Sequence, residues 1–219
     1  MPNPRAVLLD VDGTLVDSNY FHALAWSRAF RRADRTTPMA SFHRLIGMGA
    51  DQFLTELVGE HDKDLESYWQ EEFAKLRGEI QPTPGAKDLV RALHDRQAKV
   101  LYATSGQPQD VEVMREIIGA DEWVDAVVNS SEVDASKPAP DIFELALERA
   151  GTTAEHAIVV GDTVWDVKAA TACGLRCVGV TTGGIGARDL TAAGAVAVYD
   201  SPADLLDRLD GSPVGELLG

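Results

Sequence analysis

Short apolar runs bounded by helical patterns constrain this chain more than any other feature. Ala6-Val7-Leu8-Leu9, Val100-Leu101-Tyr102-Ala103 and Ala157-Ile158-Val159-Val160 carry no polar residue that could face water on alternate positions. A strand with both faces buried reads this way, whereas a half-exposed strand alternates apolar and polar. Shorter runs at Val124–Val128, Arg176–Val180 and Val196-Ala197-Val198 read as further strands. Between them, apolar residues recur at spacings of three and four over Ala86–Asp95, Pro108–Ile118, Pro140–Ala150 and Val164–Ala172, then near Leu190 and over Ala203–Leu209. Strands alternating with helices predict a parallel sheet covered on both faces.

One stretch breaks the alternation. From Asn19 to about Gly78 every apolar group falls at helical spacing: Phe21, Leu24, Ala25 and Phe30; Phe42, Leu45 and Ile46; Phe53, Leu54, Leu57 and Val58; Leu65, Tyr68, Trp69, Phe73 and Leu76. Gly47, Gly49 and Gly59 punctuate it, and Pro82-Thr83-Pro84-Gly85 closes it. The expected architecture is α/β: a Rossmann-like parallel-sheet core, residues 1–16 and 82–219, with a helical-bundle cap, residues 17–81, inserted after the first strand.

The net charge of -15 argues against nucleic acid and anionic membranes, which need a basic surface. It leaves room for a phosphorylated small molecule, because a bound cation inverts a local field. Cys173 and Cys177 stand without further soft ligands nearby and read as two reduced, small apolar residues. The segment Met1-Pro2-Asn3-Pro4-Arg5 leads directly into the first strand, and no apolar run is long enough to span a bilayer, so a cytoplasmic location without signal peptide is expected. A monomer or weak homodimer is expected.

Chemistry is suggested at strand ends. The first run ends in Asp10-Val11-Asp12-Gly13-Thr14. Successive strand residues face opposite ways, so Asp10 and Asp12 can aim together. Two carboxylates there serve stability poorly and suit magnesium and phosphoryl chemistry; the alternative is an Asp-Gly turn. Thr104-Ser105-Gly106 follows the second run and either holds an anion or caps the helix at Pro108. Lys137 precedes Pro138 and Pro140 and is either a phosphoryl partner or a solvated surface lysine. Gly161-Asp162-Thr163-Val164-Trp165-Asp166 places a second pair of carboxylates one helical turn apart. For Asp166 a capping box with Thr163 is an equal reading; for Asp162 it is none.

In order and spacing, Asp10-Val11-Asp12-Gly13-Thr14, Thr104, Lys137-Pro138 and Gly161-Asp162 with Asp166 resemble the haloacid dehalogenase-like hydrolases over nearly the whole chain. The inserted helices resemble that family's helical cap. The resemblance implies Asp10 as nucleophile forming an aspartyl-phosphate and Asp12 as acid and base. It implies Mg2+ held by Asp10, the Asp12 carbonyl, Asp162 and Asp166, and phosphoryl oxygens held by Thr104, the Ser105 amide and Lys137. Asp12 sets the chain apart from the dehalogenating members, and the Asp12-Gly13 pattern from the phosphonate-cleaving ones. The opening of the insertion, Asp17 to Trp26, resembles the phosphatase branch of phosphoglycolate and sugar phosphatases and β-phosphoglucomutases. His22, Met48 and Gly49 are the expected cap residues near substrate, although a lone helical histidine is more often structural. The loop Ile46-Gly47-Met48-Gly49-Ala50-Asp51 lacks the mutases' arginine, with Arg44 just before it. The expected activity is a magnesium-dependent phosphatase of a small phosphorylated metabolite; a phosphomutase, or a non-catalytic or signalling module of similar fold, is the alternative.

Overall fold

A computed structural model describes residues 3–219; Met1 and Pro2, which open the segment read as carrying no signal peptide, lie outside the described residues. The first strand, β1 (Ala6–Leu9), is followed by four helices: α1 (Asn19–Arg32), α2 (Met39–His43), α3 (Ala50–Val58) and α4 (Lys63–Ala74). The chain then alternates: α5 (Ala86–Asp95), β2 (Lys99–Ala103), α6 (Pro108–Ile118), β3 (Ala126–Val128), α7 (Asp141–Ala150), β4 (Ala157–Gly161), α8 (Val164–Ala172), β5 (Arg176–Val180), α9 (Ala187–Ala193) and β6 (Ala197–Tyr199). Two short helices, α10 (Pro202–Asp207) and α11 (Pro213–Leu218), end it.

All strand pairs are parallel, in the order β3-β2-β1-β4-β5-β6. The strands split the core by alternation. Val7 and Leu9 point with Val100, Tyr102, Ile158 and Val160 into one apolar layer under α5, α6, α10 and α11. Ala6 and Leu8 point with Leu101, Ala103 and Val159 into the other, under α7, α8 and α9. Both layers exclude water, which explains why the strands carry no polar alternation; each fully buried Val or Leu contributes about 1.5–3 kcal/mol. Placing β1 between β2 and β4 sends the chain to opposite sides of it, and such a switch point opens a crevice at the strand carboxyl ends.

The inserted helices bury an aromatic seam of their own. Trp26 stacks on Phe53 at 4.4 Å and on Trp69 at 5.0 Å, and Phe30 meets Phe42 edge-on at 5.0 Å. The tail departs from expectation. The helix expected over Ala203–Leu209 is α10, running into a short 3-10 turn, and α11 beyond it is unexpected: Ser212 caps this further helix with Pro213 at its first position. Cys173 and Cys177 are free thiols; burial pushes the Cys173 thiol up to about 12, the behaviour of a packing residue. Among the described residues, no helix is long and apolar enough to cross a membrane.

Candidate active site

Asp10 stands one residue beyond β1, its amide donating to the Val160 carbonyl at 2.9 Å. The chain then turns tightly, with Gly13 N donating to Val16 O at 2.8 Å. Gly13 has φ +79, and a Cβ there would overlap Asn19 and the Asp162 carboxylate, so glycine serves both the turn and the close approach.

Three carboxylates converge here. Asp10, Asp162 and Asp166 are all buried, and each offers an oxygen within 4.8 Å of the others'. Lys137, fully buried, binds two of them: Nζ donates to Asp10 Oδ1 at 2.6 Å and to Ala103 O at 2.8 Å, and pairs with Asp166 Oδ1 at 2.7 Å. The surface reading of Lys137 is thereby excluded. Thr14 Oγ1 donates to Asp10 Oδ2 at 3.0 Å and lies 3.1 Å from Asp162 Oδ1, while Asn19 Nδ2 donates to Asp162 Oδ2 at 2.7 Å. For Asp166 both sequence readings hold at once. Its Oδ2 accepts from Thr163 N and Oγ1 at 3.1 and 2.6 Å in a capping box, and its Oδ1 faces Lys137.

One ammonium cannot balance three buried carboxylates. Burial pushes Asp10 up to about 7, against the pull of Lys137 and with the help of Asp166. Asp162 is raised well above the usual carboxylate range by burial, then by Asp10 and Asp166. Burial disfavours the Lys137 ammonium, yet Asp10 and Asp166 hold its pKa above the ordinary lysine value. A buried, oxygen-only, excess-negative donor set fits a small hard divalent cation.

Asp12 stands apart from this cluster. Its carboxylate accepts from Ser18 Oγ at 2.7 Å and meets His22 Nε2 at 3.0 Å. Burial alone would raise it, but His22 and Ser18 hold it below the ordinary value. Thr104 Oγ1 lies 3.5 Å from Asp12 Oδ2 and accepts from Gly106 N at 2.9 Å. The cap of α6 is Gln107, so the capping reading of Thr104 and Ser105 does not hold. Ser105 Oγ is buried without a partner.

A cavity of about 50 Å³ lies over these groups, lined by Asp10, Asp12, Thr104 and Ser105 below and by His22, Trp26, Met48, Phe53 and Trp69 of the inserted helices above. His22 and Met48 are thus brought to the site. Gly49 is not among the lining residues: it caps α3 and packs against Ser136, where a Cβ would collide. Arg44 is exposed and outside the lining. Trp165 lies under the Lys168 ammonium, 4.4 Å from its ring centroid. Sequence reasoning missed Ser18, Asn19 and Gly183, whose carbonyl accepts from Asn19 Nδ2 at 3.2 Å and against whose α-carbon the Asp162 carboxylate packs. The signal was present in the Gly183-Gly184 pair just after β5.

This sheet order, with carboxylates after β1 and β4, a lysine after β3 and a threonine after β2, defines a phosphoryl-handling hydrolase site. Residues 4–174 match the model of the haloacid dehalogenase-like hydrolases, and the chain belongs to that family. It is similar in structure to a hydrolase from Pseudomonas syringae, with 31% identity, a TM-score of 0.90 and coverage of 94% of this chain and 98% of that one. It is 28% identical to a phosphoglycolate phosphatase from Rhodospirillum rubrum, over 99% of this chain and 95% of that protein. The crystal structure of CbbY from Rhodobacter sphaeroides in complex with phosphate superposes with a TM-score of 0.78 at 27% identity, covering 92% and 96%.

Proposed function

We propose that this chain is a magnesium-dependent phosphatase that hydrolyses a small phosphorylated metabolite, phosphoglycolate-like or sugar-phosphate-like, through an aspartyl-phosphate on Asp10. The enzyme class is phosphoric monoester hydrolase, the activity named for the relatives from Rhodospirillum rubrum and Salmonella typhi. The observation that carries the reading is the division of labour between two aspartates two residues apart. Asp10 is locked against Lys137 inside the carboxylate cluster, and Asp12 is turned out of it toward His22.

Asp10, Asp162 and Asp166, with the Asp12 carbonyl, are the residues that would hold Mg2+, which when bound neutralises phosphoryl and carboxylate charge. Lys137, Thr104 and the Ser105 amide receive the remaining phosphoryl oxygens as charge shifts outward. An Asp10 oxygen attacks phosphorus and the bond to the leaving oxygen breaks; Asp12 supplies that oxygen's proton. His22 Nε2 lies 3.0 Å from Asp12 Oδ1, so a proton on Nε2 points at the carboxylate that must give and take one. Water then attacks the phosphorus, giving its proton to Asp12, and the bond to Asp10 breaks to release inorganic phosphate.

Residues 17–81 act as the cap over a core of residues 1–16 and 82–219, excluding bulk water during transfer. The protein works in the cytoplasm as a monomer or weak homodimer, without nucleic-acid or membrane partners. Phosphomutase activity is disfavoured, because Arg44 stays outside the cavity. The test is phosphate release from a metabolite panel, with magnesium and with chelator, for wild type and Asp10→Asn. Magnesium-dependent release that Asp10→Asn abolishes is expected; release that survives the substitution overturns the mechanism.

A further inference from the structure

The cavity above Asp10 carries chemical information about the alcohol that leaves. Its upper wall is mostly apolar, Trp26, Ile46, Met48, Ala50, Phe53 and Trp69, with His22, which is turned to Asp12, and Gln107 as the further polar side chains of the lining. Among the described residues, no lysine or arginine lines it. The one buried cation nearby, Lys137, is already committed to Asp10, Asp166 and the Ala103 carbonyl. A carboxylate or second phosphate on the leaving group would enter this wall with no lysine or arginine to balance its charge, and a buried charge without a counter-ion is disfavoured.

The surroundings reinforce this. Ala50 and Gln107 also line a neighbouring cavity of about 210 Å³, whose charged members are Asp51, Glu66 and Asp134, with His61 held 2.6 Å from Glu66. The chain as a whole carries -15. Meanwhile the apolar wall holds one unsatisfied donor: the Trp69 indole Nε1 is buried and has no hydrogen-bond partner. Buried indole N–H groups ordinarily find one. A volume of about 50 Å³ admits only a small group.

Resting on the phosphatase reading above, we propose that the leaving group is a compact alcohol without an anionic substituent: a short apolar stem with one hydrogen-bond acceptor for Trp69 Nε1. The site then takes esters of neutral, short-chain alcohols and discriminates against phosphoglycolate.

The test compares kcat/KM for two esters of equal chain length, 2-hydroxyethyl phosphate and 2-phosphoglycolate, which differ in a hydroxyl against a carboxylate. At least about a tenfold preference for the hydroxyethyl ester is expected. Equal or faster turnover of phosphoglycolate overturns the proposal while leaving phosphatase action intact. Absence of Asp10-dependent release from either ester, or from any in the metabolite panel, overturns the phosphatase reading itself. Trp69→Phe keeps the ring and deletes the donor. It should lower turnover of 2-hydroxyethyl phosphate several-fold more than that of n-propyl phosphate, which lacks the distal acceptor. An equal effect on both esters overturns the role of Trp69. Because each comparison is a ratio within one protein, partial unfolding of the variant cancels. Met48→Lys should shift the preference toward phosphoglycolate, and an unchanged ratio counts against the argument from missing cations.

Discussion

His22 Nε2 lies 3.0 Å from Asp12 Oδ1, and the same imidazole stacks on Phe73 at 3.9 Å between ring centroids. One side chain of α1 therefore touches both the Asp12 carboxylate of the core and the aromatic seam of the inserted helices. Stacking fixes the ring plane, and the fixed plane delivers Nε2 to Asp12. His22→Phe would keep the stack and remove the bond. We expect phosphate release to fall about 10- to 100-fold with little change in KM. The acidic limb of the rate profile should move to higher pH, since the bond that favours the Asp12 carboxylate is gone. Steady-state kinetics across pH checks both.

Magnesium should stabilise the protein, because three buried carboxylates converge and the one lysine among them pairs with only two, Asp10 and Asp166. At a hundredfold excess over its dissociation constant a ligand of the native state adds about 2.7 kcal/mol. For a chain of this length that corresponds to roughly 5–10 °C in the unfolding midpoint. Asp162→Asn should raise the midpoint without metal, since it removes the carboxylate that Asp10, Asp166 and burial all oppose, and should abolish the magnesium increment. Thermal denaturation with and without chelator separates the two effects.

Glu72 governs a pH response away from the site. The hydrogen bond from Lys75, 2.5 Å to Oε1, is the largest influence on it and pulls its carboxyl down against its burial; Arg28 and Arg32, at 3.8 and 3.6 Å, add to the pull. A carboxyl depressed in the folded state stabilises above its unfolded pKa, about 4.3, and that contribution is lost as pH falls through the folded value. Glu72→Gln should therefore be less stable than wild type at pH 7, and the two urea midpoints should converge near pH 3.

Gly183→Ala should damage the site without touching any group that reacts. A Cβ there would overlap the Asp162 carboxylate and Asn19. The expected result is loss of most phosphate release and of the magnesium-induced rise in midpoint, with the circular dichroism of the native fold retained.

The central strands were legible because both faces of β1, of β4 and of β2 from Val100 on are buried, which erases alternation and leaves runs such as Ala6-Val7-Leu8-Leu9. Asp10, Asp162 and Lys137 were legible because parallel strands bring their carboxyl ends to one crevice whatever the loops do. The limits of β3 and β6 were not, because short edge strands begin where a neighbour offers a partner, at Ala126 and Ala197, rather than where apolar residues start. Asn19 read as an ordinary helix-start residue. Its bond to Asp162 depends on how α1 leans over the sheet, which no local pattern encodes. Gly49 was expected near substrate from its loop, but the loop turns so that Met48 faces the cavity and Gly49 faces Ser136.

The bonds from Ser18 and Asn19 to Asp12 and Asp162 bear on how such enzymes could be recombined. A chimera that kept this core and received residues 17–81 from a relative would exchange more than a specificity element. It would also replace Ser18, Asn19 and His22, and with them the hydrogen bonds that orient one acid of the proposed metal cluster and the acid proposed to handle protons. The natural junction for grafting lies after the second turn of α1, so the portable unit is shorter than the insertion.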